Sequence, residues 1–117
     1  MAKRHNYKNL NIWKLGLEIA FEVSDVIKKF PSLERFALSD QMNRCSISIP
    51  SNIAEGSAGS QKSFKHFINV SIGSSFELIT QLLIAKHRLY LTEKEFQELE
   101  TKIEHFQRMA SAFQNQL

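Results

Sequence analysis

An all-α, antiparallel up-down-up-down four-helix bundle is the fold class this sequence predicts. Three observations lead to it. Four segments space their apolar residues at steps of three and four, the helical period. Helix-start and turn residues separate those segments at short intervals. The single alternating run, Ser46–Ile49, has no partner strand elsewhere, and an orphan strand leaves its backbone groups unpaired. The composition agrees. With 43% hydrophobic residues and only 4 Gly and 2 Pro in 117, the chain is one foldable domain rather than a disordered or low-complexity one. Its 1 Cys excludes an intrachain disulfide scaffold.

Residues 1–10 read as a basic flexible arm and 11–117 as the bundle. The first helix, about 11–30, carries Ile12, Leu15, Ile19, Val23, Val26 and Phe30 at steps of 3, 4, 4, 3 and 4. Asn11 is its expected N-cap, and Pro31 ends it by excluding Phe30 from helical geometry. The second, about 40–56, is expected to start at the cap Ser39, kink near Pro50 and close at Gly56 and Gly59. Its stripe is Met42, Cys45, Ile49 and Ile53. The third, about 61–90, follows the cap Ser60 and carries two apolar stripes, one through Phe76 and Leu83, the other through Leu78 and Leu82. Because Phe76–Ala85 is apolar nearly all round, it is expected to be the most buried stretch of the chain. The fourth, about 93–116, starts at the cap Thr92 with Glu93 and Glu95 in its first turn. Phe96, Leu99, Ile103, Phe106, Ala110, Phe113 and Leu117 form its seam.

The first and third helices hold more apolar surface than one small core absorbs, which predicts a homo-oligomer. No signal peptide precedes the first helix and Phe76–Ala85 is too short to span a bilayer, so no membrane association and a cytoplasmic location are expected.

Polar residues also recur on single helical faces: Gln41, Arg44, Ser48, Asn52 and Glu55 in the second helix, and Ser74, Glu77 and Gln81 in the third. These form an expected structural network, with Arg44 pairing Glu77 as a buried guanidinium–carboxylate contact. The competing reading makes Glu55 and Glu77 paired catalytic carboxylates.

Catalytic, metal and cofactor motifs are otherwise missing, so no enzyme and no cofactor are expected. The 4 His are widely spaced, with no i,i+4 pair. Gly56–Ser63, GSAGSQKS, is one residue from a phosphate-binding loop, but Gln61 replaces the second glycine and no strand precedes it. Its amides, with Lys62 and Lys65, suit a phosphate bound at a helix start.

The net charge is only +3, unevenly placed. Residues 1–14 hold Lys3, Arg4, Lys8 and Lys14 and no acid, whereas 93–117 hold three bases and five acids.

The run Gln41–Gly56, QMNRCSISIPSNIAEG, with Gly73–Leu78 and Gln81-Leu82 downstream, resembles the four-helix-bundle proteins encoded in intervening sequences of bacterial 23S rRNA genes. Leu10–Trp13 and Phe30-Pro31 match that family's opening. The resemblance implies a ring-like homopentamer with no established enzymatic activity. It extends to the accessory variability proteins of diversity-generating retroelements, basic pentamers that bind nucleic acid and a reverse transcriptase. Many members carry a basic residue after this run, where this chain has Ser57-Ala58-Gly59.

Two functions are therefore expected in order. The first is binding of RNA or DNA by Lys3, Arg4, Lys8, Lys14, Lys62 and Lys65, in a pentamer that multiplies the charge fivefold. The second is a scaffold that docks a protein partner on apolar or acidic surface near the fourth helix.

Overall fold

The computed structural model describes residues 5–117. Four helices account for most of them: α1 (Asn11–Ile27), α2 (Leu38–Ser57), α3 (Gln61–His87) and α4 (Glu93–Asn115). Short 3-10 turns at Tyr7–Asn9 and Ser32–Glu34 precede α1 and α2, and no strand occurs among the described residues. The helices form a bundle elongated to 50 × 24 × 19 Å. Cross-helix pairs fix relative directions. Glu22 of α1 meets Lys102 of α4, and Lys29 just beyond α1 meets Glu95, so numbers rise along one helix as they fall along the other. Ser75–Gln107 and Asn69–Gln114 set α3 against α4 in the same opposed sense.

Local chemistry explains most helix ends. The Ser60 hydroxyl accepts from the Ser63 amide at 3.1 Å, and Thr92 and Glu95 form a reciprocal capping box. Two expected caps are different in the structure. Leu10, not Asn11, precedes α1, and no side chain caps it. Ala37, not Ser39, precedes α2, because Leu38 turns into the core at the helix's first position. α1 stops at Ile27, three residues short of expectation; Lys29 and Phe30 bond back to Val26 and Ile27 in a tighter turn ahead of Pro31. α3 stops at His87, where the Tyr90 amide reaches back to the Ala85 carbonyl at 2.9 Å. Leu89 supplies the left-handed residue of that turn, with φ +65°.

α2 continues through Pro50 and past Gly56 to Ser57. Gly56 is its last residue but one, so the helix closes one residue beyond the expected end, and a Cβ at Gly56 would run into Phe67 and Phe64 of α3.

The core takes the predicted faces of α1, α2 and α4: Ile19, Val23, Met42, Ile49, Ile53, Ile103 and Phe106 are fully buried. α3 departs from expectation. Its core face is Phe64, Ile68, Leu78, Leu82 and Ala85 with the small Ser71 and Ser75 between them. Phe76 is 59% exposed, and Leu83 and Ile84 are also exposed. Ser71 and Ser75 let α3 approach its neighbours closely, and the stripe through Phe76 and Leu83 is buried at Phe64 and Ile68 but turned outward at Phe76 and Leu83. By length and composition α3 is apolar enough to cross a membrane, and only a third of its most apolar stretch is buried.

Candidate nucleic-acid interface and polar seam

The starts of α1 and α3 and the end of α4 share one end of the bundle. His5 packs edge-on against Phe64 of α3 and Phe113 of α4, with ring centroids 5.3 and 5.7 Å away. Tyr7 packs on Trp13 at 5.2 Å. His5–Leu10, part of the expected arm, thus lies against the bundle, and Asn6 caps its 3-10 turn. Lys3 and Arg4 lie outside the described residues. Lys8, Lys14, Lys62 and Lys65 are exposed at this end. Among the described residues none of the four forms an ion pair.

The six ion pairs among the described residues lie elsewhere. Lys28–Asp25, Lys29–Glu95, Lys86–Glu93 and Arg88–Glu34 sit toward the opposite end, and Lys102–Glu22 and Arg44–Asp40 lie along the sides. The Lys86 ammonium also holds Glu93 below its ordinary carboxylate pKa. Lys28, Lys29, Lys86 and Arg88 are thus locally neutralised, with Arg35 and Lys94 at that end outside any ion pair, whereas all four lysines of the first end are left to attract an outside anion.

The polar seam between α2 and α3 is built from part of the predicted set. The Ser48 hydroxyl lies 2.6 Å from that of Ser74 and 2.7 Å from the Cys45 carbonyl. The Asn52 amide donates to the Ser48 carbonyl at 2.7 Å, and the Cys45 thiol donates to the Ser74 carbonyl at 3.0 Å. Burial, then the nearby Glu77 carboxylate, pushes the Cys45 thiol up to about 12. Gln81 is only 6% exposed, and its amide lies 3.5 Å from Glu77.

Arg44 does not pair with Glu77. Its Nε sits 3.2 Å from Asp40, one turn back on the same helix, and its side chain is 80% exposed. An i,i+4 partner is reached with less ordering than one on a neighbouring helix. Gln41, Glu55 and Glu77 are likewise exposed. Glu55 adjoins Gly56, which faces Phe67, and Glu77 lies ten residues further along α3, about 15 Å at the helical rise. The two carboxylates therefore do not form a dyad.

One polar cluster escaped the sequence reading. Glu34, in the α1–α2 connection, is buried and accepts from Tyr90 Oη and Arg88 Nη1, each at 2.8 Å. It ties that connection to the one between α3 and α4. Nothing local in the sequence marks it, since its partners lie more than fifty residues away.

A small all-α bundle with one unneutralised cationic end and a structural serine seam defines the general class. The chain belongs to the 23S rRNA-intervening sequence protein family, whose model matches residues 8–112. A solved structure from Bacteroides thetaiotaomicron, described as a protein with unknown function from the S23 ribosomal protein family, superposes with a TM-score of 0.82 at 19% identity. The match covers 89% of this chain and 95% of that one, and it establishes the shared four-helix fold. No curated protein matches the chain.

Proposed function

We propose that this protein is a non-enzymatic homo-oligomer that binds RNA or DNA through the end of the bundle bearing Lys8, Lys14, Lys62 and Lys65. The observation that carries the reading is that four exposed lysines gather at this end with no ion-pair partner among the described residues, while Lys28, Lys29, Lys86 and Arg88 at the opposite end are paired and only Arg35 and Lys94 of the described cations there are not. Lys62 and Lys65 also stand in the opening turns of α3, where the helix dipole favours phosphate. A pentamer, as the family resemblance implies, repeats this patch five times and raises avidity without new contacts.

Fluorescence anisotropy with labelled single-stranded RNA and duplex DNA tests the reading. Binding should weaken steeply with salt, by a log–log slope of about −0.9 per DNA phosphate contacted. Glu substitutions at Lys62 and Lys65 should flatten that slope and leave oligomer mass unchanged. No detectable binding to either probe at low salt sinks the proposal.

A second reading, a scaffold for a protein partner, draws on Leu33, Phe36 and Leu89, which are exposed on the two connections that Glu34, Arg88 and Tyr90 tie together. A protein captured through that end, and retained through nuclease and high salt, would favour it.

A further inference from the structure

We infer that the outer face of α3 in one copy of this chain seats in the α1–α2 groove of a second copy, placing Phe76 in the groove and Glu77 beside the second copy's Arg44. The inference rests on the homo-oligomer reading above and assigns its surfaces.

Apart from Leu33, Phe36 and Leu89 on the connections, the exposed large apolar side chains of the described residues lie in two places on different helices. One is a ridge: Val70, Phe76, Leu83 and Ile84 are exposed along α3. The other is a groove of about 440 Å³ lined by Trp13, Leu17 and Phe21 of α1 and Ile47, Pro50 and Ala54 of α2. Among the described residues no charged side chain lines the groove. The two features match in length. Val70–Ile84 spans about 21 Å at the helical rise, and the α1 wall from Trp13 to Ser24 about 16 Å.

Polar groups beside the ridge point to the same occupant. Glu77 is the one acid on α3, and it stands next to Phe76, near the Cys45 thiol and the Gln81 amide but with no cationic partner among the described residues. Arg44 lies one turn before Ile47 at the groove's lip, held only by exposed Asp40. The groove side thus carries the cation that the ridge side lacks, and the ridge carries the acid. Gly73 adds a notch: nothing lies within 4 Å of where its Cβ would be, although glycine weakens a helix interior.

A ridge and a groove on different faces make a head-to-tail contact, which closes into a ring where the rotation between copies permits and otherwise propagates as an open filament. A two-fold dimer would instead need one self-complementary face.

Two variants separate these arrangements. Phe76→Asp disables the ridge and Ile47→Asp the groove. Both side chains are exposed in the single chain, so circular dichroism should report intact helices. Light scattering should show each variant as a monomer, with their mixture giving a 1:1 heterodimer and nothing larger. Each charge reversal, Arg44→Glu or Glu77→Arg, should weaken assembly by about tenfold, and the double variant should regain most of it. Dimerisation of Ile47→Asp alone would mean that α3 pairs with itself, and the inference fails. Wild-type mass in either single variant also overturns it while leaving the oligomer reading intact. A monomeric wild type overturns both, and its flotation with phosphatidylglycerol vesicles would assign the ridge to lipid.

Discussion

A Cβ added to Gly56 would lie 2.7 Å from the Cβ of Phe67, and 2.8 Å from Cδ1 of Phe64. No real side chain tolerates that approach, so α2 and α3 meet there only because Gly56 has none. Gly56→Ala gains about 1 kcal/mol of helix propensity but forces overpacking that costs about 1–3 kcal/mol. The variant should unfold at lower urea than wild type, with helix content kept. An unchanged midpoint would show that the two helices separate freely at this level.

Leu89 occupies the left-handed region at φ +65° while 89% exposed. It carries strain of about 1–2 kcal/mol with no packing in its own chain to offset it. Leu89→Gly relieves the strain but adds freedom to the unfolded chain, leaving a gain of about 0.5–1 kcal/mol. A rise in Tm of about 2–5 °C is expected by calorimetry. A fall would mean that Leu89 is covered in solution.

Glu34 links acid stability to tertiary structure. The Tyr90 hydroxyl, assisted by Arg88 and the Leu38 amide, holds its carboxyl below the ordinary carboxylate pKa against the opposing effect of burial. The unfolded chain therefore binds this proton more readily. The stabilisation is complete above the unfolded carboxylate pKa of about 4.3 and is lost as pH falls through the lower folded value. Glu34→Gln should flatten the dependence of Tm on pH below about 5. Tyr90→Phe removes the largest contribution and should flatten it partly. A Tm profile unchanged in Glu34→Gln would show that the carboxylate is solvated.

Cys45 should be chemically silent while the protein is folded. With its thiol pushed up to about 12, about one molecule in ten thousand is a thiolate at pH 8. Alkylation by iodoacetamide should be orders of magnitude slower than in urea, and its rate should follow unfolding. Fast labelling of native protein would place the thiol in solvent.

The bundle was legible because its signals act within a turn or two of helix. Ser60, Thr92 and Glu95 cap where predicted, since a cap needs only its own next three residues. The α4 seam is buried from Phe96 to Ala110 as its 3–4 spacing requires. Less of the site was legible. Ser48, Asn52 and Ser74 do meet, but Arg44 and Glu77 are both exposed and unpaired with each other. Helical periodicity places residues on a face and leaves open which neighbour, if any, that face meets.

The sequence by itself determined four amphipathic helices, their order, most of their ends and the family resemblance. Only the tertiary structure decided which residues of the two α3 stripes are core. It takes Phe64 and Ile68 from the stripe through Phe76, and Leu78, Leu82 and Ala85 from the other, joined by Ser71 and Ser75, whose small side chains admit close neighbours. That choice turns Phe76 and Leu83 outward. It also makes Gly56 a point of helix contact as well as part of a helix end, because steric fit between α2 and α3 is a property of two distant segments brought together.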